Sequence, residues 1–159
     1  MPNNRNNRRR RSPLDTQAIH DLDEYEFNFC QYVDMAIPNK FRNTYVRQIL
    51  DALADAMEEA LLGMTTDVNV FPAEKLGHVD NATGKLYFVS TRLNRLNDMQ
   101  QISDDTKAGL DMRLYDIIDG LTRFSNSLRC KLGLAGQVPA GTPSGEAGGL
   151  EGCPTGQKS

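Results

Sequence analysis

Few side chains in this sequence have the types and spacing that catalysis or metal binding needs. A di-iron site in a helical bundle needs a histidine three residues after a glutamate on each of two helices. Neither His20 nor His78 has this spacing, and Glu74 precedes His78 by four residues, which is typical of a surface pair. The adjacent Glu58 and Glu59 point in different directions on a helix. We therefore predict no catalytic residue, no metal, no cofactor and no small-molecule substrate, and we expect a protein that is not an enzyme.

The basic residues give a stronger signal, because several lie in clusters that can contact phosphate groups or an acidic partner. Three cations spaced seven and three residues apart share one face of a predicted helix. Two more flank an aromatic residue in the segment IPNKFRNTYV, and the first thirteen residues contain five arginines and no acid. The candidate nucleic-acid or partner-binding residues are Arg8, Arg9, Arg10, Arg11, Lys40, Arg42, Lys85, Arg92 and Arg95.

These basic clusters also have a plainer interpretation. Cations on a helix usually form a solvated face, and short arginine runs are common in proteins that bind no nucleic acid. The same two interpretations apply to four cations later in the sequence, namely Arg113, Arg123, Arg129 and Lys131. Subtracting +5 for residues 1–13 and −1 for residues 133–159 from the net charge of −3 leaves −7 for residues 14–132. A basic arm is therefore attached to an acidic body, and the arm is the clearer candidate for binding a polyanion.

Apolar residues three and four positions apart predict four helices that would position these side chains. The predicted helices cover residues 15–36, 39–62, 72–99 and 104–132. Pro38 is predicted to end the first, Gly63 the second and Gly133 the fourth. Pro72 suits a first helical turn, and Ser103 is a predicted N-cap. The predicted core consists of Ile19, Leu22, Tyr25, Phe29, Tyr32, Val33 and Ala36, then Val46, Ile49, Leu50, Leu53, Met57, Ala60 and Leu61, then Val79, Ala82, Leu86, Val89, Leu93 and Leu96, and finally Leu110, Leu114, Ile117, Leu121, Phe124 and Leu128.

The short connections between these helices predict the fold class. Short links favour antiparallel neighbours, so residues 14–132 are predicted to form an all-α, up-down-up-down four-helix bundle. Residues 1–13 are rich in Asn and Arg and are predicted to be a disordered arm. Residues 133–159 are rich in Gly, Pro and Ser and are predicted to be a flexible tail.

The composition also bears on the compartment. No segment approaches the roughly 18 apolar residues of a membrane span, and no apolar stretch follows the basic N-terminus as in a secretory signal. Three cysteines at unrelated spacings, Cys30, Cys130 and Cys153, fit free thiols in a reducing compartment. We expect a cytoplasmic protein that makes no membrane contact, with Cys30 and Cys130 in the helix core.

Two long segments carry a resemblance to a known family. They are IPNKFRNTYVRQILDALADAMEEAL and, after a gap, KLYFVSTRLNRLNDMQQISDDTKAGLDMRLYDIIDGLTRFSNSLRCK. A proline corner with Pro38, Phe41 and Arg42 is followed by a long apolar helix, a Leu- and Arg-rich helix and an Ile-Ser pair that opens the last helix. Over about residues 25–132 this pattern resembles the accessory variability determinant (Avd) proteins of diversity-generating retroelements. It also resembles the related proteins encoded in intervening sequences of ribosomal RNA genes.

The resemblance implies a function as well as a fold. It implies a non-enzymatic, ring-shaped homo-oligomer, most simply a pentamer. Such a protein would bind a reverse transcriptase and nucleic acid, either template RNA or cDNA, in support of mutagenic retrohoming. Members of this family are usually basic, whereas this body is acidic, so the arginine arm would have to supply the missing charge.

The sequence is therefore consistent with two functions. The first is the retroelement accessory protein. The alternative is a generic four-helix-bundle oligomer with an adaptor or structural role and no nucleic-acid binding. At the proline corner, Pro38 and Phe41 fit a structural role in ending one helix and packing beneath the next. Lys40 and Arg42 oppose the dipole at a helix N-terminus, which favours a role outside the fold.

Overall fold

Four helices make up most of the regular structure of the chain. The computed structural model describes residues 13–39 and 42–134. The helices are α1 (Pro13–Ala36), α2 (Arg47–Thr65), α3 (Pro72–Asp98) and α4 (Asp104–Lys131), and these two ranges contain no strand. The all-helical fold class is confirmed. Pro13 begins α1 and so does not belong to the arm predicted for residues 1–13. The rest of that arm and almost all of the predicted tail lie outside the described residues.

The ends of α4 follow the predicted local signals. The side-chain hydroxyl of Ser103 accepts a hydrogen bond from the backbone N–H of Thr106 at 3.2 Å, so Ser103 caps the helix N-terminus. Gly133 has a φ of 70°, a conformation that glycine adopts without steric cost. The backbone N–H of Leu134 donates to the carbonyl of Arg129 at 2.8 Å, and this bond closes the helix end.

The start and end of α2 differ from the sequence prediction. A π-helical turn over Arg42–Val46 precedes the α-helix, which then runs to Thr65 rather than ending at residue 62. Gly63 is buried inside the helix and is not its stop signal. A Cβ atom at Gly63 would lie 2.9 Å from Cγ2 of Val79. The glycine is therefore needed for the close approach of α2 to α3.

A single apolar core joins the four helices, and most of its predicted members are buried. Leu86, Leu93 and Leu114 are completely buried, and Leu121 is nearly so. Two predictions were wrong, since Ala36 and Leu61 are exposed at the edges of their helices. Seven core residues were missed, namely Ala18, Ile37, Ala52, Ala56, Leu76, Ile102 and Ile118. The two missed alanines of α2 lie where this helix packs against its neighbours, so small side chains belong to the core there.

The helices pack in a closed arrangement. α3 packs against α2 and α4, and α1 also packs against α2 and α4. The π-helical turn packs against both α2 and α3, so the corner before α2 is part of the folded body. Each helix in the described ranges is too short or too polar to cross a lipid bilayer.

Candidate functional site

Arg92 is the predicted site residue with the most specific surroundings. Its guanidinium carbon lies 4.5 Å from the ring centroid of Phe88, one turn earlier on α3. It also lies 5.8 Å from the ring centroid of Tyr45, which belongs to the π-helical turn. Both distances are within the range of a cation–π interaction. Arg92 therefore connects the corner to α3.

This contact brings two of the predicted basic clusters to one end of the molecule. Arg42 is three residues before Tyr45 in the same turn, and Arg95 is three residues beyond Arg92 on α3. The side chain of Arg95 is 61% exposed, and its guanidinium lies 3.4 Å from Asp98, a weak surface contact. Lys40, Phe41 and the side chain of Arg42 lie outside the described structure. We call the surface formed by the turn 42–46 with Arg92 and Arg95 the corner surface.

Lys85 lies apart from this surface, two turns before Arg92. Its ammonium is 2.7 Å from a carboxylate oxygen of Asp55 on α2. The hydrogen bond to Asp55 raises the pKa of Lys85, and the charge of the same carboxylate adds to the effect. Asp51 and Glu59 also line the groove between α2 and α3 at this point. The groove around Lys85 is acidic, so Lys85 adds little to a phosphate-binding surface.

Two of the three arginines of α4 form ion pairs with acids. Arg123 pairs with Asp119 on the surface of the same helix. Arg129 is only 8% exposed and pairs with Asp80 of α3, so the expectation that it decorates a solvated face was wrong. Ser125 donates to the same Asp80 carboxylate at 2.6 Å. Arg129 is therefore part of the packing between α3 and α4.

The four predicted arm residues, Arg8 to Arg11, lie outside the described residues. Their role in binding stays a prediction.

Sequence reasoning missed one buried cation. Lys75, in the first turn of α3, is 8% exposed, and its ammonium donates to the backbone carbonyls of Gly63, Met64 and Thr66 at 2.5, 3.2 and 3.1 Å. The carbonyls of Gly63 and Met64 belong to the last turn of α2, and that of Thr66 follows it directly. The last carbonyls of a helix have no intrahelical donors and carry a partial negative charge. A lysine soon after a predicted helix–helix connection was the signal that could have found it.

Other titratable groups were also placed differently from the prediction. His78 Nδ1 lies 2.7 Å from Glu59 Oε2, so its partner is across the α2–α3 contact and is not Glu74. Cys30 is a half-buried free thiol, whose pKa is raised by burial and then by the charges of Glu26 and Asp34. Cys130 is exposed and disulfide-bonded, so the predictions of a free thiol and of a core position were both wrong for it. Within the described ranges, no three His, Cys, Asp or Glu side chains are grouped to hold a metal ion.

The cations of the corner surface are of the type that contacts anions. Comparison with models of known protein families, with curated proteins and with solved structures found no match. An arginine held against two aromatic rings, with a second exposed arginine one turn away, suits a phosphate or a carboxylate.

Proposed function

We propose that this protein is a non-enzymatic accessory protein of a diversity-generating retroelement. In this role it binds a reverse transcriptase and nucleic acid, either template RNA or cDNA, and supports mutagenic retrohoming. The observation that carries the proposal is the contact between Arg92 and Tyr45. It joins the proline corner to the Arg-rich third helix, and these are the two segments on which the family resemblance rests.

The proposed bundle is antiparallel and runs up-down-up-down. Contacts between α2 and α3 support it, because they move back along α2 as they move forward along α3. Lys75 contacts the end of α2, Lys85 contacts Asp55 in its middle, and Arg92 contacts Tyr45 just before its start. An antiparallel pair of helices produces this order of contacts.

The proposed protein is a homo-oligomer, most simply a pentamer, located in the cytoplasm. Exposed apolar side chains between α1 and α2 support self-association. Leu61 and Leu62 are each 41% exposed and line a groove of about 400 Å³ with Met57. Phe27 on α1 is 61% exposed. A ring would repeat the corner surface and the arginine arm once per subunit, and this would raise the affinity for a long polyanion.

The acidic groove around Lys85 favours the second candidate function. An oligomeric adaptor without nucleic-acid binding would have no need of a free basic face. Lys85 is neutralised by Asp55, and the nearby Asp51 and Glu59 would repel phosphates. The two functions therefore differ in whether the corner surface and the arm bind a polyanion.

The proposal is tested by measuring the affinity of the full chain for single-stranded RNA over a range of salt concentrations. Each phosphate that the protein neutralises contributes about −0.7 to the slope of log K against log salt. In the double variant Lys40→Gln/Arg42→Gln, we expect weaker binding and a slope flatter by roughly 0.7 for each lost contact. Fluorescence anisotropy of a labelled oligonucleotide measures both quantities.

A matched control removes two exposed cations elsewhere, in the variant Arg123→Gln/Lys131→Gln on α4. This control has the same net charge as the corner variant, so equal losses would show a diffuse charge effect rather than a corner surface. If the full chain binds no RNA or DNA at low salt, with or without a reverse transcriptase, the accessory function is wrong. The adaptor function would then stand.

A further inference from the structure

A cleft between α1 and α4 is lined by three carboxylates. It has a volume of about 290 Å³, and Asp21 and Glu24 of α1 and Asp116 of α4 line it. In the described part of the chain, neither Glu24 nor Asp116 forms an ion pair, and Asp21 accepts a hydrogen bond from Gln17 at 2.6 Å. The remaining lining includes one cation, Arg113, so three negative charges face one positive charge.

A second feature of this cleft points to a ligand with hydrogen-bonding groups. Tyr25 forms part of its wall, is only 4% exposed, and has a buried hydroxyl with no hydrogen-bond partner among the described residues. Burial, followed by the charge of Asp111, raises the pKa of this phenol, and Arg113 acts in the opposite direction. The phenol is therefore neutral, and its oxygen can accept a hydrogen bond. Buried polar groups are usually paired, so the unpaired hydroxyl of a residue that lines this cleft suggests a missing donor.

We propose that this cleft binds the guanidinium groups of the chain's own N-terminal arginines, within Arg8–Arg11. The chemistry is complementary, because a guanidinium carries N–H donors in a planar fork that pairs with carboxylates. A guanidinium seated against Tyr25 would also donate to the phenolic oxygen. Residues 1–13 carry five positive charges and no acid, whereas residues 14–132 carry a net charge of −7.

The chain length allows this contact within one subunit. Asp21 lies eight residues into α1 from Pro13, about 12 Å along the axis at 1.5 Å per residue. The five residues from Arg8 to Pro13 span up to roughly 16 Å when extended. The length of an arginine side chain adds to this reach. The arm would therefore turn back along the first three turns of α1 to bring a guanidinium to Asp21 and Glu24.

This contact adds a form of regulation to the proposed function, and that regulation rests on the proposed function. If the arm is a nucleic-acid contact, then docking in the cleft neutralises it until a polyanion displaces it. The docking itself does not depend on nucleic acid, so it can be tested without any. Failure of the docking test would leave the proposed function intact, and failure of the RNA test would leave the docking intact.

The test is limited digestion of the full chain with trypsin, at low salt, with mass spectrometry of the released N-terminal peptides. Docked arginines are poor substrates, so neutralising the cleft should expose them. In the variant Asp21→Asn/Glu24→Gln/Asp116→Asn, we expect cleavage after Arg8–Arg11 to be roughly three- to tenfold faster than in the unmodified chain. Equal cleavage rates in the two proteins would overturn the proposal.

The matched control changes the same kinds of residue outside the cleft, in the variant Asp23→Asn/Asp51→Asn/Glu58→Gln. It has the same net charge, and we expect cleavage of the arm to be unchanged. Equal acceleration by this control would place the effect in the overall charge and would overturn the cleft as the site. The variant Tyr25→Phe removes only a hydroxyl, and we expect about twofold faster cleavage. If the carboxylate variant fails to fold, an unchanged rate in Tyr25→Phe overturns the proposal.

Discussion

The cations at the two ends of α3 differ in the contacts that they make. At the start of α3, Lys75 is buried, and three carbonyls from the end of α2 surround its ammonium. Towards the other end, Arg92 lies against the rings of Phe88 and Tyr45, and Arg95 is largely exposed. Both ends join α3 to α2 or to the turn before it, but only the first uses up the hydrogen-bonding capacity of its cation.

This difference separates cations that hold the fold from cations that remain available to a partner. Aromatic rings attract a guanidinium by its charge, but they do not occupy its N–H donors, which lie in the plane of the guanidinium. The Nε atom of Arg92 is buried without a hydrogen-bond partner among the described residues. We infer that the cation at the start of α3 serves stability, and the proposed binding role of the corner surface depends on the cations towards the other end.

The largest effect is expected at the buried lysine. Lys75→Met keeps the length of the side chain but removes the charge and the three hydrogen bonds, and it leaves the carbonyls at the end of α2 without a donor. Since a hydrogen bond to a charged group contributes about 1.5–3 kcal/mol, we expect a loss of about 3 kcal/mol in the free energy of unfolding. Urea denaturation followed by circular dichroism measures this loss.

The control for this change is Lys85→Met, ten residues later on the same helix. Lys85 is about half-exposed and forms one ion pair with Asp55, so we expect a loss below about 1 kcal/mol. RNA affinity should be unaffected by Lys75→Met under conditions where the variant is folded. Similar losses of stability at the two lysines would contradict the division between the ends of α3.

The same division separates what the sequence could predict from what it could not. The bounds of α1, α3 and α4 were predicted to within two residues, because proline, serine and glycine act on the adjacent backbone. The predicted start of α2 was wrong, because a π-helical turn has no distinctive composition. Gly63 was misread because a glycine that ends a helix and one that allows close packing look the same in sequence.

The candidate site was predicted only as a set of residue types. The sequence indicated that Lys85, Arg92 and Arg95 share a face of one helix, but it could not show which of them is neutralised. Asp55 is 30 residues from Lys85, and Tyr45 is 47 residues from Arg92, so both contacts depend on how the helices pack. Lys75 was missed for the same reason, since its acceptors lie on another helix.

An effect of intermediate size is expected at the close contact between α2 and α3. In Gly63→Ala the new Cβ would lie 2.9 Å from Cγ2 of the buried Val79, so the valine must shift. We expect a loss of about 1 kcal/mol, because overpacking in a core typically costs about 1–3 kcal/mol and the helix propensity of alanine offsets part of it.

Gly84→Ala is the matched control for this contact, because no atom would lie within 4 Å of its Cβ. With helix propensity acting alone, it should stabilise the protein by about 0.5–1 kcal/mol. Thermal unfolding of the two variants should therefore shift in opposite directions. A gain at both glycines would mean that α2 and α3 can separate at this end without loss.

The smallest effect on stability, and the one most informative about function, is expected at the corner surface. Arg95 is largely exposed, and its one ion pair is long, so Arg95→Gln should change the free energy of unfolding by less than about 0.5 kcal/mol. Arg92→Met keeps an extended apolar side chain against Phe88 and Tyr45, so the expected loss is only about 1 kcal/mol, from the cation–π contacts.

The effects of these substitutions on RNA binding should follow the opposite order to their effects on stability. If the proposed function holds, each of these two changes should weaken the binding of single-stranded RNA and flatten its salt slope by about 0.7, because each would remove one proposed phosphate contact. Lys75→Met removes a cation from the same helix and should leave that slope unchanged, since its charge is already taken up inside the protein. Anisotropy titrations of the three variants at several salt concentrations measure the slopes. A flatter slope for Lys75→Met than for Arg95→Gln would reverse the roles of the two ends of α3 and would remove the corner surface as the site of binding.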